Sequence, residues 1–237
     1  MNSAQRIWRE CLWQFSTKTM LLLFAVIARV RVIYYDDIPR HRGFILASNH
    51  ISHFDPPIIT PLFPRRIDWI GMSDLFRGRL SHGFFSGLNV IPIERNGPDR
   101  TALRLAVKRL KEGRVVGIFP EGGIRDGVAS IVNGAEMKQG VTLLSLLADV
   151  PVVPCVILGS DRLYNPRNWL PWRRPQIWIG CGRAIQPLKD DPAEEWKGSM
   201  GKLLSSEIVK LKDRLCQDFE LTDADLPHPP RERMREP

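Results

Sequence analysis

An α/β fold with a mostly parallel or mixed central sheet flanked by helices follows from three features of this 237-residue chain. Short apolar runs such as Phe44-Ile45-Leu46-Ala47 show no polar alternation, which marks strands buried on both faces. These runs alternate with segments of helical periodicity, an order that builds sheets covered by helices. The length suffices for one sizeable core, and no Ser/Gly/Pro-rich linker divides it. An α/β domain is therefore expected over residues 31–218. An N-terminal helical segment, 1–30, precedes it, and a polar, proline-bearing tail, 219–237, reads as disordered.

The elements follow in order. Arg31 to Tyr35 reads as a first strand, Asp36-Asp37-Ile38-Pro39 as a turn, and 43–48 as the second strand. Pro56-Pro57 suits the first turn of a short helix that stops near Pro64. Ile67 to Gly71 is a third strand, and 72–86 mixes apolar and basic residues without a clear period. The run Gly87 to Arg95 stays apolar until it ends in an acid and a base. Leu103, Ala106, Val107 and Leu110 mark an amphipathic helix over 100–112, with Asp99 as its cap and Gly113 as its stop. Val115 to Phe119 is a strand, Pro120 to Gly127 the turn beyond it, 136–148 a helix, and 151–158 and 176–181 two further strands. Met200, Leu203, Leu204, Ile208, Leu211 and Leu215 predict a helix over 194–217.

Near the N-terminus the run Met20 to Ala28 lies between Lys18 and Arg29. It is shorter than the ~20 apolar residues a spanning helix needs. Trp8, Leu12, Trp13 and Phe15, interleaved with basic residues, instead predict a helix lying in a membrane interface. A helix docked on its own protein core carries much the same pattern.

The formal net charge is +8, unevenly placed: residues 61–114 hold eleven Lys/Arg against five Asp/Glu, a local excess of six. Such an excess points to an anionic partner, either a phosphate-bearing metabolite or a lipid surface. Nucleic acid is disfavoured because no recognisable binding motif accompanies the charge. Cys11, Cys155, Cys181 and Cys216 are scattered and read as reduced thiols, which favours the cytosolic side.

The residues with the most chemistry are His50 and Asp55, directly after the second strand. Ligands in α/β sheets collect at strand carboxyl ends. An imidazole near neutral pH can take a proton from a hydroxyl, while a carboxylate on its other nitrogen fixes the tautomer. The enzyme serine of a G-x-S-x-G elbow is absent, so the hydroxyl can belong to the substrate. Asp55 before Pro-Pro also reads as a plain helix N-cap. A metal site at His50, His53 and Asp55 is a weaker reading, since no zinc-like Cys pair accompanies them. Glu121-Gly122-Gly123 follows another strand and would let backbone approach a ligand, or form a simple glycine turn. Arg95, at a further strand end, could hold a phosphate or pair with a surface acid. No P-loop is present, and Gly180-Cys181-Gly182 lacks the rest of a dinucleotide fingerprint.

Taken together these motifs resemble the glycerolipid acyltransferases, typified by 1-acylglycerol-3-phosphate acyltransferase. Asn49-His50 to Asp55 fits their His-x-x-x-x-Asp motif, Gly87 to Arg95 their second block, Phe119-Pro120-Glu121-Gly122 their third and Val150 to Pro154 their fourth. The blocks occur in family order over about residues 30–185. One departure concerns the third block, which in the family reads Glu-Gly-(Thr/Ser)-Arg; here Gly123-Ile124 precede Arg125. The resemblance implies that His50, oriented by Asp55, is the base for attack of a lysophospholipid hydroxyl on an acyl thioester of acyl-CoA or acyl carrier protein. It further implies that Gly87, Arg95, Glu121, Gly122, Gly123 and Arg125 bind the acceptor, that no metal or tightly bound cofactor is required, and that the protein sits on the cytoplasmic face of a membrane. A hydrolase using the same pair and a non-catalytic lipid-binding module are the rival readings.

Overall fold

The computed structural model describes residues 3–94, 99–187 and 193–235. Seven strands form one mixed sheet: β1 (Arg29–Tyr34), β2 (Phe44–Ser48), β3 (Ile67–Met72), β4 (Ile91–Ile93), β5 (Val115–Ile118), β6 (Val152–Leu158) and β7 (Gln176–Cys181). Their spatial order is β1-β7-β6-β2-β5-β3-β4. All neighbouring strands are parallel except β6 and β7. The alignment therefore brings the carboxyl ends of β2, β5 and β6 to one edge, together with the amino ends of β1 and β7.

β2 and β6 are buried along their whole length, which is why they read as unbroken apolar runs. One face of the sheet packs on α4 (Arg100–Lys111), α5 (Gly140–Ala148) and α6 (Ala193–Asp218) through Ala106, Leu110, Leu144, Met200, Leu204 and Ile208. The other packs on α1 (Ser3–Ile27) and α2 (Asp55–Leu62) through Phe24, Ile27, Ile58 and Ile59. Asp99 caps α4 as expected, accepting from Thr101 N and Ala102 N, each at 2.9 Å. The region 72–86 resolves into a 3-10 turn and α3 (Arg79–Gly87). The fifth helix starts at Gly140 rather than near 136.

The N-terminal helix lies within the expected segment 1–30. It runs unbroken for 25 residues, and Gln5–Ile27 is long and apolar enough to cross a membrane by length and composition alone. That span reaches its length by including the upstream turns with Arg9, Glu10 and Lys18, beyond the apolar run 20–28. One side of the helix is seated on the domain. Ser16, Thr17, Phe24 and Ile27 are buried, Arg66 pairs with Glu10 at 3.0 Å, and the Arg66 guanidinium lies 4.8 Å from the Trp13 ring centroid. The other side, with Trp8, Phe15, Leu22 and Val26, is exposed.

The basic stretch 61–114 is spent in part inside the molecule. Arg114 and Arg109 reach the buried Asp68 carboxylate at 2.6 and 3.3 Å, and Arg109 also donates to Asn89 O. Arg65 donates to the carbonyls of Pro39, Arg42 and Gly113. Together with Arg66, four of the eleven cations thus stitch elements together. A charge count cannot separate inward from outward arginines, because the stem length lets each reach either way.

The tail is likewise structured rather than disordered. The last helix, α7 (Pro230–Arg233), places the buried Arg233 guanidinium 2.5 Å from Asp161 Oδ2, with further bonds to Leu226 O and Ala224 O. Low apolar content misleads here because polar contacts hold the tail: besides Arg233–Asp161, Arg162 pairs with Asp225 at 2.8 Å and His228 N donates to Asp161 Oδ2 at 3.0 Å. Burial pushes the Asp161 carboxyl above its ordinary range, with Arg233 acting against it. Arg233→Ala should therefore cost about 3 kcal/mol, read as a lowered Tm, by leaving a buried carboxylate without its cation. A carboxyl whose folded pKa is raised binds its proton more tightly in the native chain, so its contribution to stability falls as pH rises through that pKa. The deficit of the variant should accordingly be larger at neutral pH than at mildly acid pH.

Candidate active site

The carboxyl edge of β2 delivers the chain directly into the site. Asn49 is fully buried and pairs with the β6 backbone, donating to Ile157 O at 2.9 Å and accepting from Ile157 N at 2.8 Å. This double bond pattern continues the sheet through a side chain and fixes where the next residue, His50, leaves it.

Asp55 opens α2, yet its carboxylate does not cap that helix; Phe54 is the N-cap residue and makes no side-chain cap bond. The carboxylate turns back. Oδ2 accepts from His50 Nδ1 at 2.8 Å, Ile51 N at 2.8 Å and Ser52 N at 2.9 Å, and Oδ1 accepts from Ser160 Oγ at 2.5 Å. Asp55 and Ser160 are completely buried, whereas the His50 side chain keeps 16% exposure. The capping reading of Asp55 is thereby set aside on geometry.

With Nδ1 donating to the carboxylate, the lone pair of His50 lies on Nε2, which makes no hydrogen bond among the described residues. The ring is held from behind by a stack: Phe119 lies 4.0 Å from it at 16°, and Trp69 lies 4.8 Å from Phe119 at 7°. Such an imidazole can accept a proton from a group approaching its open edge, and the buried carboxylate stabilises the cation formed.

Glu121 is brought to the same place by β5. Its Oε2 accepts from His50 N at 2.6 Å, while Oε1 accepts from Ser130 Oγ at 2.7 Å and Ile131 N at 2.9 Å. Burial pushes the Glu121 carboxyl up, and the three donors pull against that shift. The turn is further tied by Arg125 N donating to His50 O at 2.8 Å. Gly122 adopts φ +68°, where glycine is favoured, and a Cβ there would meet the Lys138 side chain at 2.3 Å. The Arg125 guanidinium lies about 3.8 Å from the position of a Gly123 Cβ. Two cations, Arg125 and Lys138, thus flank the glycine turn, and both side chains are exposed.

The structure therefore brings together His50, Asp55, Glu121, Gly122, Gly123 and Arg125. Gly87 does something else: it ends α3, and a Cβ would stand 2.2 Å from Leu12 Cδ2 of α1, so its missing side chain serves helix packing. Arg95 lies outside the described residues. Sequence reasoning did not single out Ser160, Lys138, Trp69 or Ser130. The available signal for Ser160 was its position, a polar residue directly beyond an apolar strand and its glycine. Nothing local marks Lys138 or Trp69.

The chain is similar in sequence and in fold to known proteins. The family model described as Acyltransferase matches residues 29–158, a span that contains β1 to β6, the His50–Asp55 pair and the Glu121 turn. The chain is 22% identical over 209 residues to a 1-acyl-sn-glycerol-3-phosphate acyltransferase of Bacillus subtilis, covering 87% of this chain and all of that one. It is 24% identical to the protein of the same name from Borreliella burgdorferi, covering 74% and 68%. The crystal structure of the 1-acyl-sn-glycerophosphate acyltransferase PlsC from Thermotoga maritima shares the fold, with a TM-score of 0.63 at 22% identity over 88% of this chain and 81% of that one. With more than half its length matched by the family model, the chain belongs to the Acyltransferase family.

Proposed function

We propose that this acyltransferase moves a fatty acyl chain from an acyl thioester, of acyl-CoA or acyl carrier protein, to the hydroxyl of a lysophospholipid, with 1-acylglycerol-3-phosphate giving phosphatidate as the reaction. The observation that carries the reading is the His50 Nδ1 to Asp55 bond, which leaves Nε2 as a base that no enzyme hydroxyl or thiol meets in a hydrogen bond among the described residues. The hydroxyl nearest the pair, Ser160 Oγ, is buried and donates to Asp55, so it is not a nucleophile.

In this mechanism Nε2 takes the acceptor's hydroxyl proton as that oxygen attacks the thioester carbonyl. The tetrahedral adduct collapses with loss of the thiolate, which receives the proton back from the imidazolium. Asp55 holds the tautomer and steadies the cation. The names of the relatives support a lysophosphatidate acceptor. Arg125 and Lys138, with Arg95, are the cations assigned to its phosphate, and Glu121, Gly122 and Gly123 form the floor beneath its glycerol. No metal or tightly bound cofactor enters this scheme. The exposed apolar side of α1 supports a place at the membrane, where such an acceptor resides, and the reduced thiols support the cytoplasmic face.

His50→Ala should lower kcat for acyl transfer by roughly 10²–10⁴ while circular dichroism and Tm stay close to those of the wild type. Transfer that persists undiminished would refute the base assignment, and fatty acid release independent of any acceptor would make the protein a hydrolase instead. Arg125→Ala should act on KM for the phosphate-bearing acceptor, by roughly 10- to 100-fold for one charged hydrogen bond, with kcat little changed. A monoacylglycerol acceptor, lacking the phosphate, should show no such change. Ser160→Ala should depress kcat without altering acceptor KM, and Ser160→Thr should restore it, because only the hydroxyl that orients Asp55 is at issue.

A further inference from the structure

The connection from β6 to β7 carries an exposed aromatic and basic turn that the reaction does not use. In the segment Asn165-Pro166-Arg167-Asn168-Trp169-Leu170-Pro171-Trp172-Arg173-Arg174, Trp172 is 77% exposed, Trp169 46% and Leu170 38%. Residues 165–176 contain three arginines and no Asp or Glu. Exposed tryptophan beside arginine is a poor match for bulk water and a good one for a headgroup layer, where the ring sits among glycerol and upper acyl groups while the cations meet phosphates.

The fold places this turn beside both the membrane helix and the site. Leu158 ends β6 at the edge where β2 delivers His50, and Gln176 starts β7 opposite Arg29, the first residue of β1. Arg174 donates to Ala25 O at 2.6 Å and Ala28 O at 3.1 Å, which clamps the base of the turn to the carboxyl end of α1. The exposed Leu22 and Val26 belong to that same end of the helix. The Trp169 ring meets Phe54 edge to face at 6.2 Å, and Phe54 in turn meets Phe24 of α1 at 6.5 Å. Phe54 is the residue before Asp55.

We propose that the 165–174 turn is a second membrane contact, which seats the catalytic edge of the sheet on an anionic bilayer together with the carboxyl half of α1. This deepens the lipid-acceptor reading by naming the surface through which the site meets its bilayer. Charge complementarity favours a bilayer over a second copy of this chain, since a two-fold contact would set the same arginines against one another. Fixing both elements to one rigid base places the open edge of His50 toward the layer that holds the lysolipid.

The test is sedimentation of the full-length protein with vesicles of phosphatidylcholine, with and without phosphatidylglycerol. The wild type should favour the anionic vesicles. R167E should lower partitioning onto them by roughly tenfold and weaken the preference. W172A should weaken binding to both vesicle types, and W172F should show less quenching by acyl-brominated lipid than the wild type, whose other exposed tryptophans still respond. All three should keep the wild-type Tm and transfer to a detergent-dispersed acceptor. Wild-type partitioning by both R167E and W172A overturns the proposal. So does a dimer in analytical ultracentrifugation that W172A dissociates without any change in vesicle binding. Sedimentation involves no turnover, so vesicle binding that survives in a wild type without acyl transfer would strike only the catalytic reading, and failed sedimentation with intact transfer only this one.

Discussion

The site depends on one buried carboxylate. Asp55 has no exposure, and an isolated anion in that position would be costly; four donors make it tolerable, three from the loop just upstream and one from beyond β6. Two are amides of the loop between β2 and α2, one is the imidazole, and one is a hydroxyl beyond β6. Because the donors to Oδ2 are the residues just upstream, the loop can close only with His50 Nδ1 facing the acid. The orientation of the imidazole is thus a by-product of satisfying a buried carboxylate.

Glu121 plays a similar structural part on the opposite side. Its two oxygens are used by His50 N on one hand and by Ser130 and Ile131 on the other. The strand order puts β5 and β6 on either side of β2, so Glu121 and Ser160 arrive at His50 and Asp55 from adjacent strands. Parallel pairing is essential here, since it alone brings the carboxyl ends of three strands to a single edge. The same edge receives the end of α1 because β6 and β7 are antiparallel and reverse the chain once. That reversal sets an apolar helix end beside the loop that carries His50 and Asp55.

Some of this was legible in the sequence and some was not, for identifiable reasons. β2, β5 and β6 read clearly because both their faces are buried, leaving only apolar residues. The capped helix α4 read clearly because Asp99 and Gly113 act locally. The region 72–86 did not, since α3 rests on α1 through Gly87 and a glycine chosen for a distant contact looks like any other. The tail misled for a related reason: Arg233 is an ordinary polar residue until Asp161, 72 positions away, meets it in the core.

The sequence by itself determined the strand and helix order, the two strand-end motifs around His50 and Glu121, and the family they resemble, because these rest on periodicity and on short-range spacing. Only the tertiary structure decided that Asp55 serves His50 rather than its own helix, that Ser160 and Lys138 come to the same place, and that several arginines of the basic stretch face inward. Those outcomes turn on which long-range partner a polar side chain finds, and polar groups find partners through the packing of the sheet, which no local pattern encodes.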